Sequence, residues 1–169
     1  CFSMLLRENG HEPTPALLEA MIARKSRYYR QRIEREIPLV PGIREFLECC
    51  HGRFPSALAS GALPSEIRYV LDRQGLNRFF AVIANTCEVN FPKPNPAVYL
   101  LALERLRAGC APDLAPEQCL VFEDSPVGLQ AALSAGMGCI GVATSTDARE
   151  LAGAAMVIAD FLDPRLFRL

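Results

Sequence analysis

Long hydrophobic runs are missing from this chain. No stretch approaches the roughly 18 apolar residues of a membrane span, and no signal-peptide pattern is visible. A membrane partner is not expected, and cytoplasm is the expected compartment. A charge of one sign is missing too. The 18 basic side chains stand against 19 acidic ones, a net charge of -1, so no general nucleic-acid footprint is expected. Lysine is scarce, since only Lys25 and Lys93 accompany the arginines. The seven cysteines, Cys1, Cys49, Cys50, Cys87, Cys110, Cys119 and Cys139, show neither a C-x-x-C spacing nor a His-bearing zinc pattern. They read as reduced thiols, with Cys119 and Cys139 as small buried hydrophobes in apolar runs. His11 lies in a polar turn and His51 at a helix end, so neither is placed for a Cys-His pair. An initiating Met is also absent, and Cys1 suggests a chain that begins inside its gene.

What remains is a globular composition. Half of the 169 residues are hydrophobic, enough to bury roughly 70% of the unfolded surface in one compact domain. Up to Ile37 the sequence reads as helical and highly charged. Thr14 caps a run in which Leu17, Leu18, Met21 and Ile22 recur at helical spacing, and Pro38 closes it. From Pro41 onward short apolar runs alternate with helical patterns. Helices are expected over 42–50, 64–74, 95–107 and 127–135, and strands over 54–59, 80–84, 119–122, 139–142 and 156–158. Short strands apolar on both faces and separated by helices imply parallel βαβ units in a doubly wound α/β sheet.

In such sheets ligands bind beyond the carboxyl ends of the strands, where helix N-termini and loop amides converge. Ser60-Gly61 follows the first strand: a hydroxyl and an open amide suited to an anion, or an ordinary turn. Lys93 follows the second, between Pro92 and Pro94, which restrict its backbone. It is either a solvated lysine or a framed point charge for phosphate. Glu123-Asp124-Ser125 follows the third. Two adjacent carboxylates repel unless offset, so they read equally as a Mg2+ site or as an acidic helix N-terminus. Together, hydroxyl, lysine and carboxylate pair follow successive strands about thirty residues apart, which puts all three on one edge of one sheet.

At these residues the chain resembles the haloacid dehalogenase superfamily, and within it the beta-phosphoglucomutase-like sugar-phosphate phosphatases with a helical cap. Leu58-Ala59-Ser60-Gly61 resembles the family's second motif, and Lys93-Pro94-Asn95-Pro96-Ala97-Val98-Tyr99 its third. The stretch from Val121 through Glu123-Asp124-Ser125-Pro126-Val127-Gly128 to Ala132, with Ala135-Gly136-Met137, resembles the fourth. Pro41-Gly42 matches the usual re-entry from cap to core. Ala97 stands where the family often has an acidic residue. The larger departure is the first motif, D-x-D-G-T or similar, whose first Asp attacks phosphorus and whose second acts as acid and base: no D-x-D occurs in the chain.

The resemblance implies residues 1–37 as a partial helical cap and 38–169 as the α/β core lacking its first strand, with about 45 to 50 residues upstream to carry it. It implies a Mg2+-dependent phosphatase working through an aspartyl-phosphate on a small phosphorylated metabolite, as a monomer or weak dimer. Lys93 and Ser60 are then the catalytic residues, with Ser60, Gly61 and Lys93 holding the phosphoryl group. Asp124 and Glu123 hold the metal, the latter directly or through water, and Ser125 orients their loop. By itself the 169-residue chain is then expected to be inactive. Arg24, Lys25, Arg27, Arg30, Arg32 and Arg35, around Tyr28 and Tyr29, form either a contact for a second phosphate or a solvated face paired with Glu34 and Glu36. A phosphomutase shares all these motifs. A non-enzymatic phosphate-binding or interaction module remains open, whereas a flavodoxin-like or receiver domain would leave the framed Lys93 unexplained.

Overall fold

The computed structural model describes residues 2–168; Cys1 lies outside them, as does the side chain of Arg35. The chain divides into two compact units, Cys1–Pro38 and Leu39–Leu169. In the first, α1 (Phe2–Glu8) packs against α2 (Pro15–Arg35). Thr14 is the N-cap of α2, its side chain accepting from the Leu17 N–H at 3.4 Å, with Pro15 in the first turn, where no amide partner is needed. No helix is long and apolar enough to cross a membrane among the described residues.

The second unit alternates α3 (Ile43–Cys50), β1 (Ala57–Ser60), α4 (Pro64–Gln74), β2 (Val82–Asn85), α5 (Ala97–Gly109), β3 (Leu120–Glu123), α6 (Pro126–Ser134), β4 (Gly138–Val142) and β5 (Met156–Ile158). All pairings are parallel, and the fold class is the doubly wound α/β arrangement. One expectation needs correction. The strands do not form one continuous ladder: β1 pairs with β2, and β3–β4–β5 form a separate sheet. No described strand is available to join β1 to β3, so each keeps one unpaired edge. Burial follows from this. Cys139 to Val142 of β4, flanked on both sides, are buried, whereas all four residues of β1 are half-buried and Leu120 of β3 is 46% exposed.

Both ladders nevertheless share cores. One cluster joins Ala84 of β2, Val98, Tyr99, Ala102 and Leu103 of α5, Leu129, Ala131 and Ala132 of α6, and Cys139 of β4, with Ala57, Ala59 and Val121 against it. Strand side chains alternate between faces, so Leu58 turns to the cluster of α3 and α4, and Phe122, Ile140 and Val142 to that around Phe161. Ile43 of α3 belongs to both of these. The rings of Phe46, Phe122 and Phe161 meet with centroids 5.0, 5.1 and 5.4 Å apart.

Several boundaries move by a few residues for local reasons. β1 begins at Ala57, after Pro55, which has no N–H for a ladder, and after an exposed Phe54. α5 begins at Ala97, whose N–H is accepted by the Asn95 side chain at 3.0 Å. β3 extends one residue further, to Glu123, which therefore ends the strand instead of following it. Of the two thiols expected to be buried, Cys139 is and Cys119 is only half so. Burial raises both, Cys139 to about 11, which leaves them poor nucleophiles.

The entry to α3 is a tight turn. Gly42 has φ 76°, and a Cβ there would lie 2.7–2.8 Å from the Phe161 and Leu162 backbone, while the Phe161 N–H donates to the Pro41 carbonyl at 2.9 Å. Conformation and space both demand glycine. Gly42→Ala should therefore destabilise the protein by about 2 kcal/mol or more, read as a lowered urea midpoint with unchanged slope.

Candidate active site

The residues nominated from the sequence end or follow strands at the carboxyl side of both ladders. At the end of β1, Ser60 is in register with Asn85 at the end of β2. Its Oγ accepts from the Ala62 N–H at 3.1 Å, so the hydroxyl proton remains available for donation. Asn85, 2% exposed, donates through Nδ2 to the Ala62 carbonyl and accepts from the Cys87 N–H at 2.7 Å. The Asn85 N–H donates to Glu88 at 2.8 Å, and Glu88 accepts from Arg105 at 2.6 Å. The loop carrying Ser60 and Gly61 is thus tied to the end of β2. Gly61 is exposed and has room for a Cβ, whose nearest neighbour would be Thr86 at 3.7 Å. Its amide, and not its size, is what it would offer an anion.

The second group is more enclosed. Glu123 is 8% exposed, and both its oxygens are engaged. Oε1 accepts from Lys93 Nζ and from the Tyr99 hydroxyl at 2.5 Å. Oε2 accepts from the N–H of Asp124 at 3.2 Å and of Ser125 at 3.3 Å, and from Ser125 Oγ at 3.0 Å. Ser125 also caps α6, its Oγ accepting from the Gly128 N–H at 3.1 Å. Lys93 donates a second bond, to the Tyr99 hydroxyl at 2.9 Å, and lies 4.7 Å from the centroid of that ring. Burial alone would raise the Glu123 carboxyl, but the Lys93 charge and the bonds from Lys93, Tyr99 and Ser125 outweigh it and hold the group below its usual value. Burial, and then the Glu123 charge, push the Tyr99 phenol far up, so it keeps its proton.

The structure therefore brings Lys93, Glu123 and Ser125 together, with Asp124 beside them. Among the described residues no hydrogen bond joins Ser60 or Gly61 to this group; they stand at the end of the other ladder. The repulsion between Glu123 and Asp124 is offset for Glu123 by Lys93. Asp124 is exposed and accepts from Ser145 Oγ at 2.9 Å through one oxygen, which leaves the other open. Among the described residues no three His, Cys, Asp or Glu gather as a metal cage. One open carboxylate still suits Mg2+, which commonly takes one or two carboxylates and completes its shell with water and phosphate.

Sequence reasoning assigned no role to Tyr99, Asn85, Ser145 or Gly128. Asn85 had a signal, as a polar residue closing an apolar run, and Ser145 follows β4 as the other candidates follow their strands. For Gly128 only the fold supplies a reason: a methyl there would overlap the Glu123 carboxyl group. On α2, Arg24 and Lys25 lie over the rings of Tyr28 and Tyr29 at 5.7 and 5.3 Å.

Residues 5–136 match the model of the haloacid dehalogenase-like hydrolases. The chain belongs to that family. It is 36% identical over 136 residues to a phosphorylated carbohydrates phosphatase of Thermotoga maritima, covering 75% of this chain and 60% of that one. CbbY from Rhodobacter sphaeroides, solved in complex with phosphate, superposes with a TM-score of 0.77 at 29% identity, over 94% of this chain and 71% of that one. A structure described as a putative beta-phosphoglucomutase from Thermotoga maritima superposes with a TM-score of 0.66 at 35% identity, over 76% and 59%. The chain spans from 34% to 60% of the length of these and other curated relatives it matches.

Two outcomes test this haloacid dehalogenase-like site. Gly128→Ala should cost about 2 kcal/mol or more, because the displaced, buried Glu123 loses its donors and leaves a half-buried cation without its partner; urea unfolding measures it. Since folding lowers Glu123 from 4.5, its contribution to stability is fully present above that value and is lost as pH falls through the folded one. Stability profiles from pH 7 to pH 3 should therefore fall less steeply in Glu123→Gln than in the parent.

Proposed function

We propose that this chain serves as the phosphate-handling core of a phosphatase that acts on a small sugar phosphate or a similar phosphorylated metabolite. The observation that carries the reading is the Lys93 ammonium, anchored on a buried carboxylate next to the exposed Asp124, at the strand ends where such folds bind ligands. A lysine held in that way is a preformed positive charge for transferring oxygens. The Ser60 hydroxyl and the Gly61 amide add neutral donors from the other ladder. Asp124, with its open oxygen, is the residue that would hold Mg2+, and Glu123, whose oxygens both accept from protein donors, would serve the site by holding Lys93. Mg2+, when bound, neutralises charge on the phosphoryl oxygens. Ser125 holds the loop by pairing with Glu123 and capping α6. Cytoplasmic residence and a monomer or weak dimer belong to the same reading.

The nucleophile in this reading is the first Asp of a D-x-D-G-T motif, and hydrolysis proceeds through its aspartyl-phosphate. Residues 1–169 contain no D-x-D. The unpaired edges of β1 and β3 support a further parallel strand between the two ladders. A residue at the carboxyl end of such a strand would lie between Ser60 and the Lys93–Asp124 group. Residues 1–37 then act as part of a substrate-selecting cap. The likeness to a putative beta-phosphoglucomutase favours one second reading, a mutase that passes the phosphoryl group to a sugar instead of water.

Phosphate release from sugar phosphates, with and without Mg2+, tests the proposal on this chain and on a version extended into the upstream coding sequence. Turnover is expected only in the extended protein, where Lys93→Ala should lower it by about a hundredfold or more. Full turnover by residues 1–169 alone would overturn the external nucleophile. An isomerised sugar phosphate in place of free phosphate would select the mutase.

A further inference from the structure

Tyr99 lies six residues beyond Lys93 on a different element, and the phosphatase reading gives it no part. Its ring belongs to the core cluster shared by β2, α5, α6 and β4 and is 5% exposed. Its hydroxyl emerges at the edge of that core, where it donates to Glu123 Oε1 at 2.5 Å and accepts from Lys93 Nζ at 2.9 Å. One proton and one lone pair are thereby each used once, which matches the capacity of a phenol. The ammonium lies 4.7 Å from the centroid of the same ring, on the side of its hydroxyl. Lys93, by contrast, stands in a loop with a flexible four-carbon stem. Glu123 alone is a single acceptor point, around which an ammonium can swing.

We propose that Tyr99 is a positioning residue for Lys93: its hydroxyl, together with Glu123 Oε1, forms a two-point seat that fixes where the ammonium sits. The seat also commits Glu123 to the lysine. Its Oε1 takes two donors and its Oε2 three, against about four lone-pair positions on a carboxylate. Asp124 is left as the member of the acidic pair with an open oxygen. The consequence for turnover rests on the phosphatase reading, but the seat itself does not.

Because the chain has only two lysines, its ammonium groups can be followed one by one in a proton–nitrogen correlation spectrum of the 169-residue protein. A seated Lys93 should give a slowly exchanging ammonium signal, assigned by its loss in Lys93→Arg. Tyr99→Phe keeps the ring in the core and removes only the hydroxyl. It should speed exchange of that signal by about tenfold or more, with backbone amide shifts elsewhere and the thermal midpoint nearly unchanged. Glu123→Gln, which removes the anion shared by phenol and ammonium, should likewise speed exchange of that signal. An unchanged Lys93 signal in Tyr99→Phe would overturn the seat. In a protein competent for phosphate release, Tyr99→Phe should lower kcat by about tenfold with little change in KM, and add nothing in a Lys93→Ala background. Additive losses there would likewise refute a role through Lys93. A responsive ammonium signal with no phosphate release under any condition would leave the seat standing and remove the phosphatase reading instead.

Discussion

A carboxylate buried at the end of a strand is tolerable only if protein donors replace the water it loses. Glu123 collects those donors from three directions. Lys93 comes from the loop after β2, Tyr99 from α5, and Ser125 from the cap of α6. Most of the local architecture follows from that requirement. The chain must be glycine at 128, because the carboxyl group occupies the space of a side chain there. Lys93 is drawn in from its loop, and α5 and α6 are held against the end of β3 by polar bonds as well as by their apolar faces. The result is a fixed cation beside an exposed carboxylate.

The second constraint lies in the sheets. Two short parallel ladders are held in one fold by helices that pack across both, α5 and α6 over one face and α3 beneath the other. The apolar residues of β1 and β3 are correspondingly less covered than those of β4. Site residues are distributed in the same way, with Ser60 and Gly61 on one ladder and Glu123, Asp124 and Ser145 on the other. Lys93 crosses between them, since it follows β2 in sequence and binds the end of β3. It thus ties the chain after β2 to the end of β3, and its attachment to Tyr99 anchors that link in the common core.

Much of this was legible along the chain. Alternating apolar runs and helical patterns, with Thr14, Pro64 and Pro126 at helix starts, mark the elements to within a few residues, because capping and periodicity are local physics. Boundaries differ where periodicity does not decide: β1 starts after Pro55, and β3 continues to Glu123 because Gly141 accompanies it. Motif spacing also nominated Ser60, Gly61, Lys93, Glu123, Asp124 and Ser125. It did not say that Lys93 would neutralise Glu123, since their 30-residue separation carries no distance. Tyr99 and Gly128 were visible only as core-like positions inside a motif.

The order of elements, the parallel topology, the family and the absence of a D-x-D were determined by the sequence alone, for each depends on residue type and on neighbours along the chain. Only the tertiary structure decided that the strands fall into two ladders, that the acidic pair splits into one engaged and one open carboxylate, and that a tyrosine seats the lysine. Those outcomes turn on which lone pairs and strand edges meet across the fold, and residues distant in sequence meet only when the cores that carry them have closed.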